Sequence, residues 1–324
     1  MIGVLGAGAW GTALAQVLAS DGSPVILWAY EPDVVAAINE THVNPVYLAG
    51  RVLSPKVFAT GDIRALGQCD AVLVVPPAQH LRGLLAQVPG RAPRILCAKG
   101  IEAGSGMLMS EVAEAVSGDA PIAVLSGPTF AHEVAAGLPT AITLACADEA
   151  LGAVLATRIA RPGFRPYSST DIVGAEIGGA VKNVLAIACG VVEGAGLGQN
   201  ARAALIARGF AEMTRFGLAR GARAETLSGL SGLGDLVLTC SSVSSRNFSL
   251  GVGLGQGRTA ADLLADRRTV AEGASTAPVL AEAAAAAGVD MPIVDAVCAL
   301  LAGRMAVGAV VERLLARPLK SEGA

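Results

Sequence analysis

Lys182, Lys99 and Asp235 are the ionisable residues whose surroundings point to chemistry. Lys182 lies in Gly178-Gly179-Ala180-Val181-Lys182-Asn183-Val184-Leu185-Ala186-Ile187-Ala188, apolar on nearly every side. A helix apolar all round is normally buried, and a lysine on it has a buried partner or a task. Desolvation lowers a lysine's pKa towards the range where it exchanges protons at neutral pH. The plain alternative is a lysine that snorkels to water or pairs with a carboxylate. Lys99 closes an apolar run before Gly100-Ile101-Glu102, either as a solvated strand end or on the ligand side of a sheet. Asp235 stands in Gly232-Leu233-Gly234-Asp235-Leu236, as a turn or cap carboxylate or as the partner of a lysine.

Two further segments suit a small ligand. Ser126-Gly127-Pro128-Thr129-Phe130-Ala131 follows an apolar run, and its backbone and the Thr129 hydroxyl either form a simple turn or face a substrate. Ser244-Ser245-Arg246-Asn247 precedes a helical segment. Hydroxyl, guanidinium and amide at a helix start suit a phosphate, or merely cap the helix. At the N-terminus, Gly6-Ala7-Gly8-Ala9-Trp10-Gly11 links the apolar Met1–Leu5 to the helix-like Thr12–Leu18. This is G-x-G-x-x-G between strand and helix. Its glycines permit a tight turn, close approach of a pyrophosphate and close packing of helix on strand. A second apolar run, Val25–Tyr30, ends in Glu31, placed to accept hydrogen bonds from the adenosine ribose.

The elements that must hold these residues fall into two groups. Short apolar runs recur at Lys56–Thr60, Asp70–Val75, Arg94–Ala98, Pro121–Leu125, Thr140–Ala145 and Phe164–Ser168, mostly with helix-like segments between them. Lack of polar alternation fits strands buried on both faces. The alternation predicts a Rossmann-like doubly wound α/β sheet with ligands at the carboxyl ends of its strands. The pattern changes at Ser168-Ser169-Thr170-Asp171, good helix N-cap residues. Beyond them helices are expected at 172–192, 200–219, 246–256, 260–266, 276–287, 293–302 and 306–316. This gives a dinucleotide-binding domain over 1–168 and an all-α substrate and catalytic domain over 169–324.

Composition narrows the class. The 324 residues carry a net charge of -3, so no attraction to nucleic acid is implied. Hydrophobic residues make up 53% and aromatics only 3%, which predicts close-packed helices with small side chains. Mean hydropathy is +0.57, but Glu176, Lys182 and Asn183 interrupt the best membrane candidate, Ile172–Val192. No stable membrane insertion and no signal peptide are expected, and a cytoplasmic location fits. The six cysteines are scattered without C-x-x-C and only three histidines occur, so neither a metal site nor a disulfide framework is expected.

Taken in order, these motifs resemble those of the bacterial-type NAD(P)-dependent glycerol-3-phosphate dehydrogenases, over essentially the whole chain. The resemblance adds His42-x-Asn44-Pro45-x-Tyr47-Leu48, Glu176-x-Gly178-Gly179-Ala180-x-Lys182-Asn183, Asn200–Ile206, Gly229–Leu236 with Thr239-Cys240, and Glu272-Gly273. It implies that Lys182 exchanges a proton with the substrate carbonyl oxygen. Lys99, Gly127, Thr129, Lys182, Asp235, Ser245, Arg246 and Asn247 would surround a triose phosphate. Gly6, Gly8, Ala9, Trp10, Gly11, Glu31, Tyr47, Lys99, Ala131, Arg246, Val270 and Glu272 would line NAD or NADP. Many relatives carry a basic or neutral residue in place of Glu31, whose carboxylate would repel the 2′-phosphate of NADP and favour NAD. His132 stands where Lys or Glu is common, and the sequence offers no physical account of it. The rival readings are another dehydrogenase with a Lys-Asn pair and a non-catalytic dinucleotide sensor. The sequence leaves the assembly open, with a homodimer as the candidate.

Overall fold

The computed structural model describes residues 1–265 and 271–318. Ile2–Leu5 (β1), Val25–Trp28 (β2), Val57–Thr60 (β3), Ala71–Val74 (β4), Arg94–Leu96 (β5), Ile122–Ser126 (β6), Thr140–Cys146 (β7) and Phe164–Ser169 (β8) form one eight-stranded sheet. Its order is β3-β2-β1-β4-β5-β6-β7-β8. Every apolar run read as a strand is therefore present. β1 and β4 are buried along their whole length, which explains why their sequences do not alternate. One departure from the doubly wound pattern is the direction of β7, which runs antiparallel to β6. Only the short helix Ala131–Ala135 lies between them, in place of a full crossover helix.

From residue 170 onward every regular element among the described residues is a helix. Asp171 caps the central helix Ile172–Gly194 by accepting the Gly174 N–H at 2.8 Å, and its other oxygen accepts the Arg223 N–H at 2.8 Å. The capping run was legible; which of its four residues would cap was not. The central helix is the one described helix long and apolar enough to cross a membrane, yet 89% of its apolar window is buried inside the molecule. Its composition is that of a core.

Around it pack Gln199–Ala219, Arg246–Gly255, Glu272–Ala286 and Pro292–Leu301. The closest crossing is with Arg246–Gly255. A Cβ on Gly190 would overlap the Phe248 carbonyl oxygen, one on Gly194 the Val252 carbonyl oxygen, and one on Gly251 the Ile187 carbonyl oxygen. Glycine on both helices is thus what lets two backbones touch. The helix expected from residue 276 begins four residues earlier, at Glu272. A tertiary bond supports the added turn: Asn247 Oδ1 accepts the Gly273 N–H at 2.9 Å. The segment expected as helix over 260–266 is helical at Ala260–Leu263, and residue 266 lies outside the described residues.

Candidate active site

Lys182 projects from the middle of the central helix into a polar cluster. Its ammonium donates to Asp235 Oδ1 at 2.8 Å and to Thr239 Oγ1 at 2.9 Å. The second oxygen of Asp235 accepts from Lys99 Nζ at 2.6 Å. Lys99 also donates to the Gly127 carbonyl at 3.3 Å, which in turn accepts the Thr129 hydroxyl at 3.2 Å. One fully buried carboxylate therefore bridges two lysines drawn from different halves of the chain. Burial drives the Lys182 pKa down, Asp235 holds it up, and the like charge of Lys99 pushes it down again, to about 8. The Lys182 ammonium is thus an acid near neutrality, with its proton already aligned on acceptors.

Local sequence explains the placement. Gly179 leaves room for the aliphatic stem of Lys99, whose Cγ would stand 3.2 Å from a Cβ there. Gly178 admits the backbone of Ser231, with which a Cβ would overlap. Ser231 belongs to the π-helical turn Leu230–Gly234, and the short helix Asp235–Thr239 follows directly. Asp235 is therefore a lysine partner and not merely a turn residue. Thr239 carries the missed part of the site. It lies one helical turn after Asp235, so the i, i+4 spacing was the available signal. Its hydroxyl accepts from Lys182 and donates to Asp235 Oδ1 at 3.3 Å.

The Ser245-Arg246-Asn247 block divides its labour. Ser245 caps Arg246–Gly255, its Oγ accepting the Phe248 N–H at 3.2 Å. Asn247 is buried and bonded to Asn183 Oδ1 at 3.0 Å as well as to Gly273. Arg246 is exposed at the helix start, and its charge is felt by Glu272. Glu272 is half-buried, with burial pushing its carboxyl up to about 7 against the opposing pull of Arg246 and Lys99.

The glycine turn has the form of an anion cradle. Gly6 adopts φ +110°, a conformation open to glycine, and a Cβ on Gly11 would overlap the Gly6 carbonyl oxygen. A Cβ on Gly8 would meet nothing within 4 Å, so space lies directly above the turn. The helix Ala9–Leu18 starts there without a side-chain cap, which leaves its first-turn N–H groups open to an anion. Trp10 Nε1 is buried with no hydrogen-bond partner. These features fit a dinucleotide pyrophosphate. Glu31 follows β2, and its Oε1 accepts the Tyr47 hydroxyl at 2.7 Å, which raises the Tyr47 pKa. Two of the residues expected to line the dinucleotide are therefore in contact. Ala131 opens the short helix after β6. His132 beside it is exposed, and its ring stacks on Phe130 with centroids 5.8 Å apart. Val270 lies outside the described residues.

A glycine-cradled turn after β1, together with a buried lysine–carboxylate–lysine array, marks a nicotinamide-dependent oxidoreductase. Models of the N-terminal and C-terminal parts of NAD-dependent glycerol-3-phosphate dehydrogenase match residues 1–152 and 171–312. The chain is 65% identical over 322 residues to a glycerol-3-phosphate dehydrogenase [NAD(P)+] of Sphingopyxis alaskensis, covering 99% of this chain and 98% of the relative. It is 58% identical to the enzyme so named from Caulobacter vibrioides, covering 99% and 98%. Among solved structures, glycerol-3-phosphate dehydrogenase from Coxiella burnetii superposes with a TM-score of 0.93 at 38% identity, covering 98% of each chain. A ketopantoate reductase from Ralstonia eutropha, 17% identical with a TM-score of 0.62, shares the fold alone. The chain belongs to the NAD-dependent glycerol-3-phosphate dehydrogenase family.

Proposed function

We propose that Lys182 is the acid–base residue with which this chain interconverts dihydroxyacetone phosphate and sn-glycerol 3-phosphate, using NAD(H) or NADP(H). The product supplies the backbone for glycerophospholipids. The observation that carries the reading is the bond of buried Lys182 to Asp235, which also holds Lys99. The bound nicotinamide supplies or takes up the hydride. As negative charge grows on the carbonyl oxygen, Lys182 stabilises it and transfers a proton to it, effects worth several kcal/mol in a water-poor site. Asp235 and Thr239 aim the ammonium. Lys99, with Gly127 and Thr129, forms the neighbouring wall of the substrate site.

Arg246 is the phosphate ligand in this reading. It is the residue of its block whose polar atoms are not committed to the capping and amide bonds of Ser245 and Asn247. Ser245 and Asn247 complete the phosphate end beside it and also fix the helix start. Gly6, Gly8, Ala9, Trp10 and Gly11 cradle the dinucleotide, with Glu31 and Tyr47 at the ribose and Ala131 and Glu272 nearer the substrate. The boundary near residue 169 then separates cofactor from substrate and catalysis, with the reaction at the seam. A homodimer and a cytoplasmic location complete the proposal.

The test is oxidation of NADH and NADPH with dihydroxyacetone phosphate and with dihydroxyacetone. The phosphorylated substrate is expected to turn over far faster, because phosphate binding energy positions the carbonyl. Equal rates would remove Arg246 from substrate recognition. A 2-hydroxy acid preferred over both would point to the alternative dehydrogenase reading.

A further inference from the structure

Glu176 is a buried carboxyl for which the reaction has no direct use. It lies on the central helix six residues before Lys182, about 9 Å along the axis at 1.5 Å per residue. Both of its oxygens are taken by one residue of the sheet-bearing half. Oε1 accepts the Ser110 backbone N–H at 2.8 Å, and Oε2 accepts the Ser110 hydroxyl at 2.5 Å. Both residues are only 5% exposed. Ser110 lies in the first turn of the helix Met109–Val116, where free backbone N–H groups and the helix dipole favour an oxygen acceptor. That helix follows the Lys99 loop, to which Leu108 is tied by its bridge with Ile101. The pair therefore joins the segment that carries Lys99 to the helix that carries Lys182.

We propose that Glu176 is a positioning residue for catalysis: its double bond to Ser110 fixes the axial and rotational setting of the central helix, and so the place of Lys182 relative to the bound nicotinamide and substrate. Between Glu176 and Lys182 the helix is bare of side chains at Gly178 and Gly179, where it slides between the Ser231 backbone and the Lys99 stem. Glycine contacts exclude volume but hold no direction. The directional restraint that ties this stretch of the helix directly to the sheet-bearing half is Glu176 with Ser110. Burial pushes the Glu176 pKa up to about 7, with Ser110 opposing and Glu111 and Glu114 adding to the rise. A neutral side chain at 176 can keep both contacts, since a protonated carboxyl or an amide accepts the N–H and donates to the hydroxyl. Geometry, not charge, is what the site demands.

This inference rests on Lys182 as the acid, and K182A tests that separately. Glu176→Ala, Glu176→Gln and Ser110→Ala are compared with wild type for turnover per folded molecule and NADH Kd. The kinetic isotope effect with NADH deuterated at the transferred position is measured alongside. Glu176→Ala is expected to lose about 10-fold to 100-fold in kcat, the scale of an ångström-sized misplacement. NADH Kd should move by less than about threefold, since the nucleotide turn is untouched. The isotope effect should be no smaller than in wild type, because the chemical step is what slows. Glu176→Gln should keep kcat within about threefold, and Ser110→Ala should fall between the two. The proposal is overturned if the kcat loss vanishes on normalising to folded protein, or if the isotope effect shrinks. Glu176→Gln as slow as Glu176→Ala overturns it too. Should Glu176→Ala fail to fold, Ser110→Ala with wild-type kcat and isotope effect overturns it alone.

Discussion

At the scale of single residues, Asp235 sets what the two lysines can do. Its carboxylate makes Lys182 a better-held ammonium, while burial and Lys99 make it a weaker base. The folded pKa of about 8 fixes the sign of the pH dependence. With Lys182 as the proposed acid, reduction of dihydroxyacetone phosphate would need the ammonium, so kcat/KM should fall as pH rises through about 8; oxidation of glycerol 3-phosphate would need the free amine and should rise through the same range. Asp235→Asn removes the group that raises the Lys182 pKa, so the limb should move to lower pH in parallel assays of both directions. A limb that stays in place would mean that another group is titrating. Lys182→Ala should lose at least about 10³-fold in kcat, since proton transfer and charge stabilisation go together. Glu31 has one oxygen bonded to Tyr47, and at the ribose position proposed for it the carboxylate would repel a 2′-phosphate. Wild type should therefore prefer NADH, and Glu31→Arg should shift kcat/KM towards NADPH. A ratio that does not move would remove Glu31 from the ribose.

At the scale of elements, glycine does two opposite jobs, and substitution separates them. Gly190 is occupied space: a Cβ there overlaps the Phe248 carbonyl oxygen, and backbone cannot turn aside as a side chain can. Gly190→Ala should cost at least about 2 kcal/mol in denaturant unfolding by forcing the helices apart. It should also raise KM for the triose phosphate, because the displaced helix begins with Arg246. Gly8 is empty space: nothing lies within 4 Å of its added Cβ. Gly8→Ala should leave unfolding nearly unchanged and weaken NADH binding measured by fluorescence titration. Equal stability losses in the two variants would contradict this division. The same contrast explains what was legible in the sequence. The strands and the long helices announced themselves by apolar runs, and the three residues of the lysine–carboxylate array stood out as charges in apolar or glycine-rich settings. The reversal of β7 left no trace, because strand direction depends on the connection and not on the pattern of the strand. Nor did the early start of Glu272–Ala286, which is held by Asn247 from another helix. The cap made by Ser245 and the inter-helix tie made by Asn247 were not separable from anion binding in the sequence, because both uses draw on the same residue types.

At the scale of the whole molecule, catalysis leaves its mark on stability, since the buried charges couple folding to pH. Glu176 and Glu212 are both pushed up to about 7 by burial. Glu212 accepts the Ile293 and Val294 N–H groups at 2.9 and 3.4 Å, so its burial anchors the Pro292–Leu301 helix. For such carboxyls the folded chain holds its protons more tightly than the unfolded chain. Stability from these groups is therefore full below the unfolded carboxyl range and declines as pH rises to about 7. Lys182 acts in the opposite sense. Its folded pKa of about 8 lies below the ordinary lysine value of 10.5, so the unfolded chain binds the proton more tightly. Its contribution grows as pH rises above about 8 and is complete above the ordinary lysine range. With Glu272, also raised to about 7, these groups predict a shallow minimum of unfolding free energy between about pH 7 and pH 8, before the buried thiols, raised above their usual 9.0, begin to lower stability at higher pH. Urea unfolding of wild type, Glu212→Gln and Lys182→Met at intervals from pH 5.5 to 9, below the range where the buried thiols contribute, resolves the two sides. Glu212→Gln should flatten the acid side of the minimum and Lys182→Met the alkaline side. A wild-type curve that rises steadily from pH 5.5 to 8 would show that the raised carboxyls do not govern that range. The minimum falls where the Lys182 ammonium is ready to give up its proton, so the charge that suits Lys182 to the proposed proton transfer also weakens the fold around it.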